Sequence, residues 1–207
     1  MKDMFRIVVS QNIQKNSERQ QINDSLDHRL VNWILALGAI PIPVPNSLES
    51  NLELWLKCIE PQAIILSGGN DLGNYPERDA SEMKLIEYAR ILRIPLLGIC
   101  RGMQMLVKEA GSSLSKIDGH VATRHPLIQK DDTLPLPKQV NSYHNWGVHQ
   151  CPENYSVLAT ANDGSIEAIC HNNLPWEGWM WHPEREKLFT TYEINRAKNL
   201  LIQISNK

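Results

Sequence analysis

The sequence of 207 residues lacks the features that mark several broad classes of protein. It has no apolar run near the roughly 20 residues that span a membrane, and residues 1–9 lack the apolar core of a signal peptide. Its formal net charge is only −2, so nothing favours binding to nucleic acid or to an anionic membrane. We therefore expect a cytoplasmic protein whose partner is a small molecule.

Cysteine is also scarce, and its spacing argues against two kinds of site. The four cysteines, Cys58, Cys100, Cys151 and Cys170, are far apart, and no Cys-x-x-Cys pair is present. This pattern is atypical of a zinc site and, in a reducing compartment, of disulfides. We therefore predict free thiols, of which one is available for catalysis.

Apolar strands and amphipathic helices alternate through the first half of the chain. This order predicts an α/β fold with a doubly wound, mostly parallel sheet and flanking helices. The chain is long enough for a sizeable core, and we predict a single domain over residues 1–207. The predicted strands are 5–10, 61–66 and 94–99, with a proline-rich edge strand from residue 39, and the predicted helices are 25–37, 48–59, 81–92 and one ending near residue 111.

The second half of the chain predicts a small antiparallel region and one last helix. An Asn-Asp-Gly turn at residues 162–164 is typical of a hairpin. The polar stretch 11–23 predicts a loop, and residues 130–132 predict an exposed turn. The strands are predicted at 139–143, 155–161, 165–170 and 176–181, and the helix at 192–204.

The run Gly-Ile-Cys-Arg-Gly at residues 98–102 joins an apolar strand to a helix and places Cys100 at the turn. This spacing is the thiol counterpart of the Gly-x-Ser-x-Gly nucleophile elbow, in which the glycines let strand and helix approach closely. The helix N-terminus favours the thiolate over the thiol. The alternative is a buried core cysteine, since cysteine is among the most buried residue types.

His182 is the best candidate among seven histidines for the base that such a thiol needs. It follows the aromatic run Trp-Met-Trp at residues 179–181 and precedes Pro183, which predicts a rigid turn. Glu184 stands two residues further on, where a carboxylate can reach back to the imidazole and complete a triad. The alternative is a capping histidine followed by an ordinary exposed acid.

These two motifs together, in this order, resemble the class I glutamine amidotransferase superfamily, and the similarity runs over nearly the whole chain. Leu-Ser-Gly-Gly-Asn-Asp at 66–71 and Asp-Gly-Ser-Ile-Glu-Ala at 163–168 resemble its γ-glutamyl-γ-aminobutyrate hydrolase branch, peptidase family C26. Within that branch, residues 141–146 and 182–186 are similar to γ-glutamyl-CDP-amidate hydrolases, which serve the synthesis of surface-polysaccharide phosphoramidate. The resemblance implies a flavodoxin-like fold and an enzyme that needs no cofactor.

The resemblance also implies a mechanism. Cys100 would attack the δ-carbonyl of a γ-glutamyl group, His182 would move the proton, and Glu184 would orient His182. The backbone N–H groups of Gly69 and Arg101 would hold the oxyanion, since donors from two turns at adjacent strand ends can converge on one oxygen. Water would then hydrolyse the glutamyl thioester.

Further residues are implied to hold the substrate. By motif position, Gln104 would bind the glutamyl group, although a solvent-facing helix residue is the alternative. Asn141 could equally be a turn residue, and Glu167 is interpreted as structural. The implied binding residues are Gly68, Gln104, Asn141, Ser142, Tyr143 and His144. The candidates for a phosphate-bearing leaving group, each with the alternative of an ordinary surface charge, are Arg101, Arg124, His125, His144 and Arg185.

Two other functions stay open at this point. One is a glutaminase component that delivers ammonia to a partner synthase, and the other is a catalytically silent binding protein on the same fold. The oligomeric state is also open, a homodimer being one alternative. We predict no metal site, because His120 and His125 lie five residues apart in a predicted loop with no cysteine or paired carboxylate to complete a ligand set.

Overall fold

The computed structural model describes residues 5–131 and 136–202. Parts of two predictions, residue 132 of the exposed turn and the end of the last helix at Ile204, lie outside these residues. None of the described helices is long and apolar enough to cross a membrane. The α-helices are α1 (His28–Ala36), α2 (Leu52–Ile59), α3 (Pro76–Leu92), α4 (Arg101–Glu109) and α5 (Thr191–Leu201).

Most of the strands belong to one sheet, and the others form three short two-stranded sheets. The first seven strands are β1 (Phe5–Val9), β2 (Asn12–Asn16), β3 (Gln21–Ser25), β4 (Ala39–Pro43), β5 (Ala63–Leu66), β6 (Leu96–Ile99) and β7 (Ser115–Lys116). The others are β8 (Val121–Pro126), β9 (Ile128–Gln129), β10 (Gln139–Tyr143), β11 (Trp146–Gly147), β12 (Tyr155–Thr160), β13 (Ile166–His171) and β14 (Trp176–Trp179).

The main sheet has eight strands in the order β4-β1-β5-β6-β14-β13-β12-β9. The pairings from β4 through β14 are parallel, and those from β14 to β9 are antiparallel. This confirms the predicted mostly parallel α/β sheet with an antiparallel region in the C-terminal half. The proline-rich strand β4 lies at the edge, as predicted, because proline cannot donate to a second neighbour.

Helices cover both faces of the sheet, and their apolar sides form two cores. Trp33 of α1 and Leu201 of α5 pack on one face, against side chains such as Ile65. Leu56 of α2 and Leu106 of α4 pack on the other face together with side chains of α3. Because both faces are covered, the central strands are apolar along their whole length, which is what made them recognisable in the sequence.

The prediction of a loop over residues 11–23 is wrong, because this stretch forms the hairpin of β2 and β3. Its side chains are mostly polar and exposed, so the period-two pattern of a half-buried strand is absent. The hairpin nevertheless has contacts with the rest of the fold. Ile13 is buried, and its N–H donates to Asn70 Oδ1 at 2.9 Å.

Several helices begin at other residues than predicted. Helix α1 starts at His28, since Asp27 accepts a hydrogen bond from the N–H of Arg29 and caps the helix. Helix α3 starts five residues earlier than predicted, with Pro76 in its first turn, where proline is favoured. Helix α2 starts at Leu52 after a 3₁₀ segment, Asn46–Asn51.

Candidate active site

Three neighbouring parallel strands end at the same edge of the sheet and carry the candidate site. Strand β6 lies between β5 and β14, with Gly98 opposite both Leu66 and Gly178. The turn at Gly68 follows β5, Cys100 follows β6, and His182 follows β14. Sites of doubly wound sheets form beyond the carboxyl ends of strands, and this location matches that rule.

Cys100 lies at a sharp turn with a strained backbone. Its φ is 51° and its ψ is −105°, a conformation that non-glycine residues rarely adopt. A Cβ on Gly98 would lie 2.6 Å from the backbone of Gly102, and a Cβ on Gly102 would overlap the carbonyl oxygen of Leu66. The predicted close approach of strand and helix is therefore confirmed, and Cys100, 6% exposed, immediately precedes helix α4 at its N-cap position.

His182 is buried and hydrogen-bonded to Glu184. Its Nδ1 lies 2.7 Å from Glu184 Oε1, so the expected reach of the carboxylate back to the imidazole is present. Burial by itself would lower the pKa of His182, but the adjacent Cys100 and Glu184 outweigh it and raise the pKa to about 9. Since Nδ1 is taken by Glu184, Nε2 is the nitrogen left for the thiol. The alternative of an exposed acid at position 184 is wrong, because Glu184 is buried.

The turn after β5 lies directly against the imidazole. A Cβ on Gly68 would come within 2.5 Å of His182 Cε1. Gly69 has φ +121°, and a Cβ there would overlap the side-chain oxygen of Asn12. Arg78 holds this turn, since its Nη2 donates to the carbonyl oxygens of Ser67 at 2.8 Å and Gly68 at 3.0 Å.

The role of Arg78 fixes the direction of one candidate oxyanion donor. The C=O of Gly68 and the N–H of Gly69 belong to the same peptide group and point in opposite directions, because the peptide is trans. The carbonyl faces Arg78, and the N–H of Gly69 therefore points away from Arg78. Sequence reasoning missed both Arg78 and Asn12, although Pro76 in the first turn marked the start of the helix that carries Arg78.

The side chain of Arg101 is a structural group. It is 1% exposed and forms ion pairs with Glu82 and Asp79 of helix α3. The prediction that Arg101 binds a phosphate-bearing leaving group is therefore wrong. The alternative of an ordinary surface charge is wrong as well. Its backbone N–H is the first of helix α4, where no helical carbonyl is available to accept it.

Gln104 is 4% exposed, so the alternative of a solvent-facing helix residue is wrong. Its Nε2 donates to the carbonyl oxygen of Trp146 at 3.1 Å. The same oxygen lies 3.1 Å from Nδ1 of His144. Gln104 therefore connects helix α4 to the segment that follows β10.

Asn141 holds the backbone of His182 on both sides. Its Nδ2 donates to the carbonyl oxygen of His182 at 2.8 Å and to Glu186 Oε1 at 2.8 Å, and its Oδ1 accepts from the N–H of His182 at 3.0 Å. Because Asn141 is buried inside strand β10, the alternative of a turn residue is wrong. Its side chain positions His182, a role that sequence reasoning did not assign.

Tyr143 and Arg185 form the rim of the site. The ring of Tyr143 lies edge-on to His182 with 5.9 Å between centroids, and the guanidinium of Arg185 lies 4.6 Å above the tyrosine ring. A cavity of about 70 Å³ beside them is lined by residues that include Asn12, His182 and Arg185. A larger cavity, about 470 Å³, lies between α2 and α3 and is lined by none of the candidate catalytic residues.

The other candidates for a phosphate-bearing leaving group have partners elsewhere. Arg124 is half-exposed and pairs with Glu186 at 2.8 Å. His125 and His144 both face Glu167, which is fully buried on β13. Ser142, one of the implied substrate-binding residues, faces His120. The structural interpretation of Glu167 fits its burial, and the side chains that face it are histidines.

Comparisons with known proteins place the chain in a family. Residues 20–199 match the family model described as glutamine amidotransferase class-I. The chain is 35% identical over 158 residues to γ-glutamyl-CDP-amidate hydrolase of Campylobacter jejuni, covering 73% of this chain and 76% of that protein. It is 28% identical over 214 residues to γ-glutamyl-γ-aminobutyrate hydrolase of Escherichia coli, covering 82% of each.

An amidotransferase component is a relative as well. The matching subunit of the glutamine-hydrolysing GMP synthase of Methanothrix thermoacetophila is 34% identical over 145 residues, covering 67% of this chain and 80% of that protein. Among solved structures, a candidate GMP synthase subunit from Thermoplasma acidophilum has the same fold, with a TM-score of 0.74 and 22% identity over 97% of this chain and 94% of that one. From the motifs, the fold and these matches, the chain belongs to the class I glutamine amidotransferase family.

Proposed function

We propose that this protein is a cysteine-dependent hydrolase that cleaves the γ-glutamyl amide bond of a small metabolite and releases glutamate. One observation carries the proposal: the strained Cys100 lies beside the buried His182–Glu184 pair and the Gly68–Gly69 turn. This is the set of parts that acyl transfer needs, namely a nucleophile, a base with its orienting group and a turn of backbone donors. Two relatives are named as hydrolases of γ-glutamyl compounds.

The chemistry follows from where the groups lie. The Cys100 thiolate attacks the δ-carbonyl carbon and forms a C–S bond, and the oxyanion is stabilised by the N–H groups of Gly69 and Arg101. The C–N bond then breaks while the His182 imidazolium gives its proton to the leaving nitrogen. Water, deprotonated by His182, attacks the thioester carbon, and the C–S bond breaks. Glutamate is released, and the Cys100 thiolate and the His182 imidazolium are regenerated. Glu184 holds His182 in the required tautomer throughout.

The favoured substrate is γ-glutamyl-CDP-amidate, which would yield glutamate and cytidine diphosphoramidate for surface-polysaccharide synthesis. Its support is the similarity to the Campylobacter jejuni enzyme and the place of Arg185 at the rim of the site. Arg185 is 28% exposed in its side chain, and arginine can bind phosphate with two hydrogen bonds. Arg185→Ala should raise KM for this substrate by roughly 10-fold or more, as expected from losing a charged hydrogen bond.

A neutral γ-glutamyl amide serves as the internal control for that variant. If Arg185 binds the phosphate, Arg185→Ala leaves KM for γ-glutamyl-γ-aminobutyrate nearly unchanged, and Arg124→Ala leaves both KM values unchanged. Equal losses with both substrates would mean that Arg185 acts through Glu184 or Tyr143 and does not contact a phosphate.

The second candidate function is that of a glutaminase component that passes ammonia to a synthase. The relationship to the GMP synthase protein of Methanothrix thermoacetophila favours it. The two functions separate when glutamate release by the isolated chain is measured with γ-glutamyl-CDP-amidate, γ-glutamyl-γ-aminobutyrate and L-glutamine. We expect release without any partner, fastest from the CDP-amidate. Release from glutamine only when a synthase is added would overturn the proposal, and no release from any substrate would favour a silent binding protein.

A further inference from the structure

Three histidines converge on one buried carboxylate on the far side of strand β10. Glu167 of β13 is fully buried, and its Oε1 lies 3.5 Å from His120 Nδ1 and 3.6 Å from His144 Nε2, while its Oε2 lies 3.8 Å from His125 Nε2. These separations are longer than the 2.7–3.2 Å of a good N–H···O hydrogen bond. Among the described residues, neither oxygen of Glu167 has a hydrogen-bond partner, nor do Nε2 of His125 and of His144.

The outer nitrogen of each histidine has a hydrogen-bond acceptor. His120 Nε2 lies 2.9 Å from Asp163 Oδ2, His125 Nδ1 lies 3.2 Å from the carbonyl oxygen of Pro126, and His144 Nδ1 lies 3.1 Å from that of Trp146. Since a carboxylate and a carbonyl only accept, each outer nitrogen carries the hydrogen. In the neutral ring, the inner nitrogen is then a lone pair directed at Glu167.

A buried arrangement of three lone pairs around a carboxylate is repulsive unless protons or a metal cation lie between them. Protonation of all three rings would remove the repulsion, but it would place three positive charges around one carboxylate in a buried space, which is costly. The hydroxyl of Ser142 offers little relief, since it donates to the carbonyl oxygen of His120 at 2.8 Å and lies 3.4 Å from His120 Nδ1. One divalent cation would satisfy all four groups with neutral rings.

The spacing fits a small transition-metal ion. With bonds of roughly 2.0–2.2 Å, a tetrahedral zinc site has ligand atoms about 3.4 Å apart, close to the separations from Glu167. The ligand atoms of His120, His125 and Glu167 all lie within 4.8 Å of one another. His144 adds a fourth nitrogen, its Nε2, 3.6 Å from Glu167 Oε1. Three imidazoles favour zinc over calcium or magnesium, which prefer oxygen ligands. His125, 13% exposed in its side chain, gives the ion a path from solvent.

We propose that His120, His125, His144 and Glu167 bind a transition-metal ion, with Zn²⁺ the best fit. Four protein ligands leave no open position, so the site is structural. The ion would fasten strand β8 and the end of strand β10 to strand β13 of the main sheet. Asp163 would orient His120, as carboxylates behind metal-bound histidines do. The sequence prediction of no metal site rested on the lack of a cysteine or paired carboxylate beside His120 and His125. The fold instead brings a single carboxylate, Glu167, and a third imidazole, His144, to them from distant positions.

The test begins with the metal content of the full chain, produced without a histidine tag in zinc-supplemented medium and dialysed against metal-free buffer. We expect about one zinc, or one other imidazole-binding metal, per chain. Removing it with a strong chelator should lower Tm by roughly 5–10 °C, and stoichiometric zinc should restore Tm. A metal-free protein whose Tm responds to neither treatment would overturn the proposal and leave a proton-bridged histidine–glutamate network.

Variants distinguish this site from adventitious binding. His125→Asn should lose most of the bound metal and the response of Tm to chelator, whereas the exposed His28→Asn control should keep both. Glu167→Gln should also lose the metal, and if it does not fold, the partly exposed His125 still provides the test. Replacing the ion with Co²⁺ should give the intense visible absorption of a tetrahedral complex. Metal that persists at full occupancy in His125→Asn would contradict the assignment.

Discussion

Strand β10 separates two polar clusters that differ in construction. Asn141 and Tyr143 point to His182 on one side, while Ser142 points to His120 on the other, as the alternation of a strand requires. His144, just after the strand, reaches Glu167. A single short strand therefore supports both the candidate catalytic site and the proposed metal site.

The two clusters differ in how their charges are balanced. In the first, Nδ1 of His182 lies at hydrogen-bond distance from Glu184, and Cys100 and Glu184 together keep the imidazole protonated. In the second, Glu167 faces three imidazoles at distances too long for good hydrogen bonds. In our proposals, the first cluster transfers protons as it stands, whereas the second needs a cation between its groups. Substitutions in the first cluster should therefore change glutamate release, whereas substitutions in the second should change metal binding.

Cys100→Ala should have the largest effect on activity. Without the nucleophile, glutamate release should fall by on the order of 10⁴-fold or more. Tm and metal content should stay close to the wild-type values, because the thiol interacts with His182 and is not one of the proposed metal ligands. Intact glutamate release with a folded protein would mean that another group attacks the substrate.

Glu184→Gln should lower kcat by roughly 10²–10⁴-fold, because the orienting carboxylate is lost. It should also change the pH profile. Since the pKa of His182 is raised to about 9, kcat/KM of the wild type should fall as the pH rises through that value and the imidazolium loses its proton. The groups that face His182 are Cys100, Glu184 and Tyr143, with Arg185 beyond. Removing the Glu184 charge should move the alkaline limb to lower pH, and an unmoved limb would refute this role.

Asn141→Ala should reduce kcat by roughly 10–10²-fold with a smaller change in KM, since a misplaced base slows the chemical step. The exposed Gln139→Ala on the same strand is the control and should change neither parameter. A loss of stability without a change in kcat would show that Asn141 supports only the fold.

Asp163→Asn should have the smallest effect and act on the other side of β10. Loss of the carboxylate behind His120 should weaken metal binding by roughly 10–100-fold while kcat stays close to wild type. The exposed Asp118→Asn, two residues from His120, is the matched control. Metal affinity is measured by competition with a chelator. If the two variants bind the metal equally well, Asp163 does not contribute to the metal site.

The difference between the clusters also explains what could be predicted from the sequence. Cys100 and its glycines are adjacent in the chain, and so are His182 and Glu184, so local spacing was enough to find them. The central strands were found because burial on both faces makes them continuously apolar. The positions of the ends of neighbouring parallel strands then bring the two motifs together.

The rest depends on contacts that spacing does not encode. His120, His125, His144 and Glu167 meet only after the β8–β10 sheet has packed against strand β13 of the main sheet. Nothing local in the sequence marks Glu167 as a partner of histidines. Asn141 and Arg78 act through hydrogen bonds to distant backbone. The β2–β3 hairpin was not predicted from the sequence because its exposed polar strands lack an apolar face. Such positions become visible only in the folded structure.

The central claim is that Cys100 carries the glutamyl group of the substrate. The most direct measurement is mass spectrometry of acid-quenched protein during turnover of a γ-glutamyl amide. We expect a mass increase of one glutamyl group, located on the peptide that contains Cys100 and absent from Cys100→Ala. A glutamyl group attached to another residue, or substrate turnover by Cys100→Ala at the wild-type rate, would contradict the mechanism.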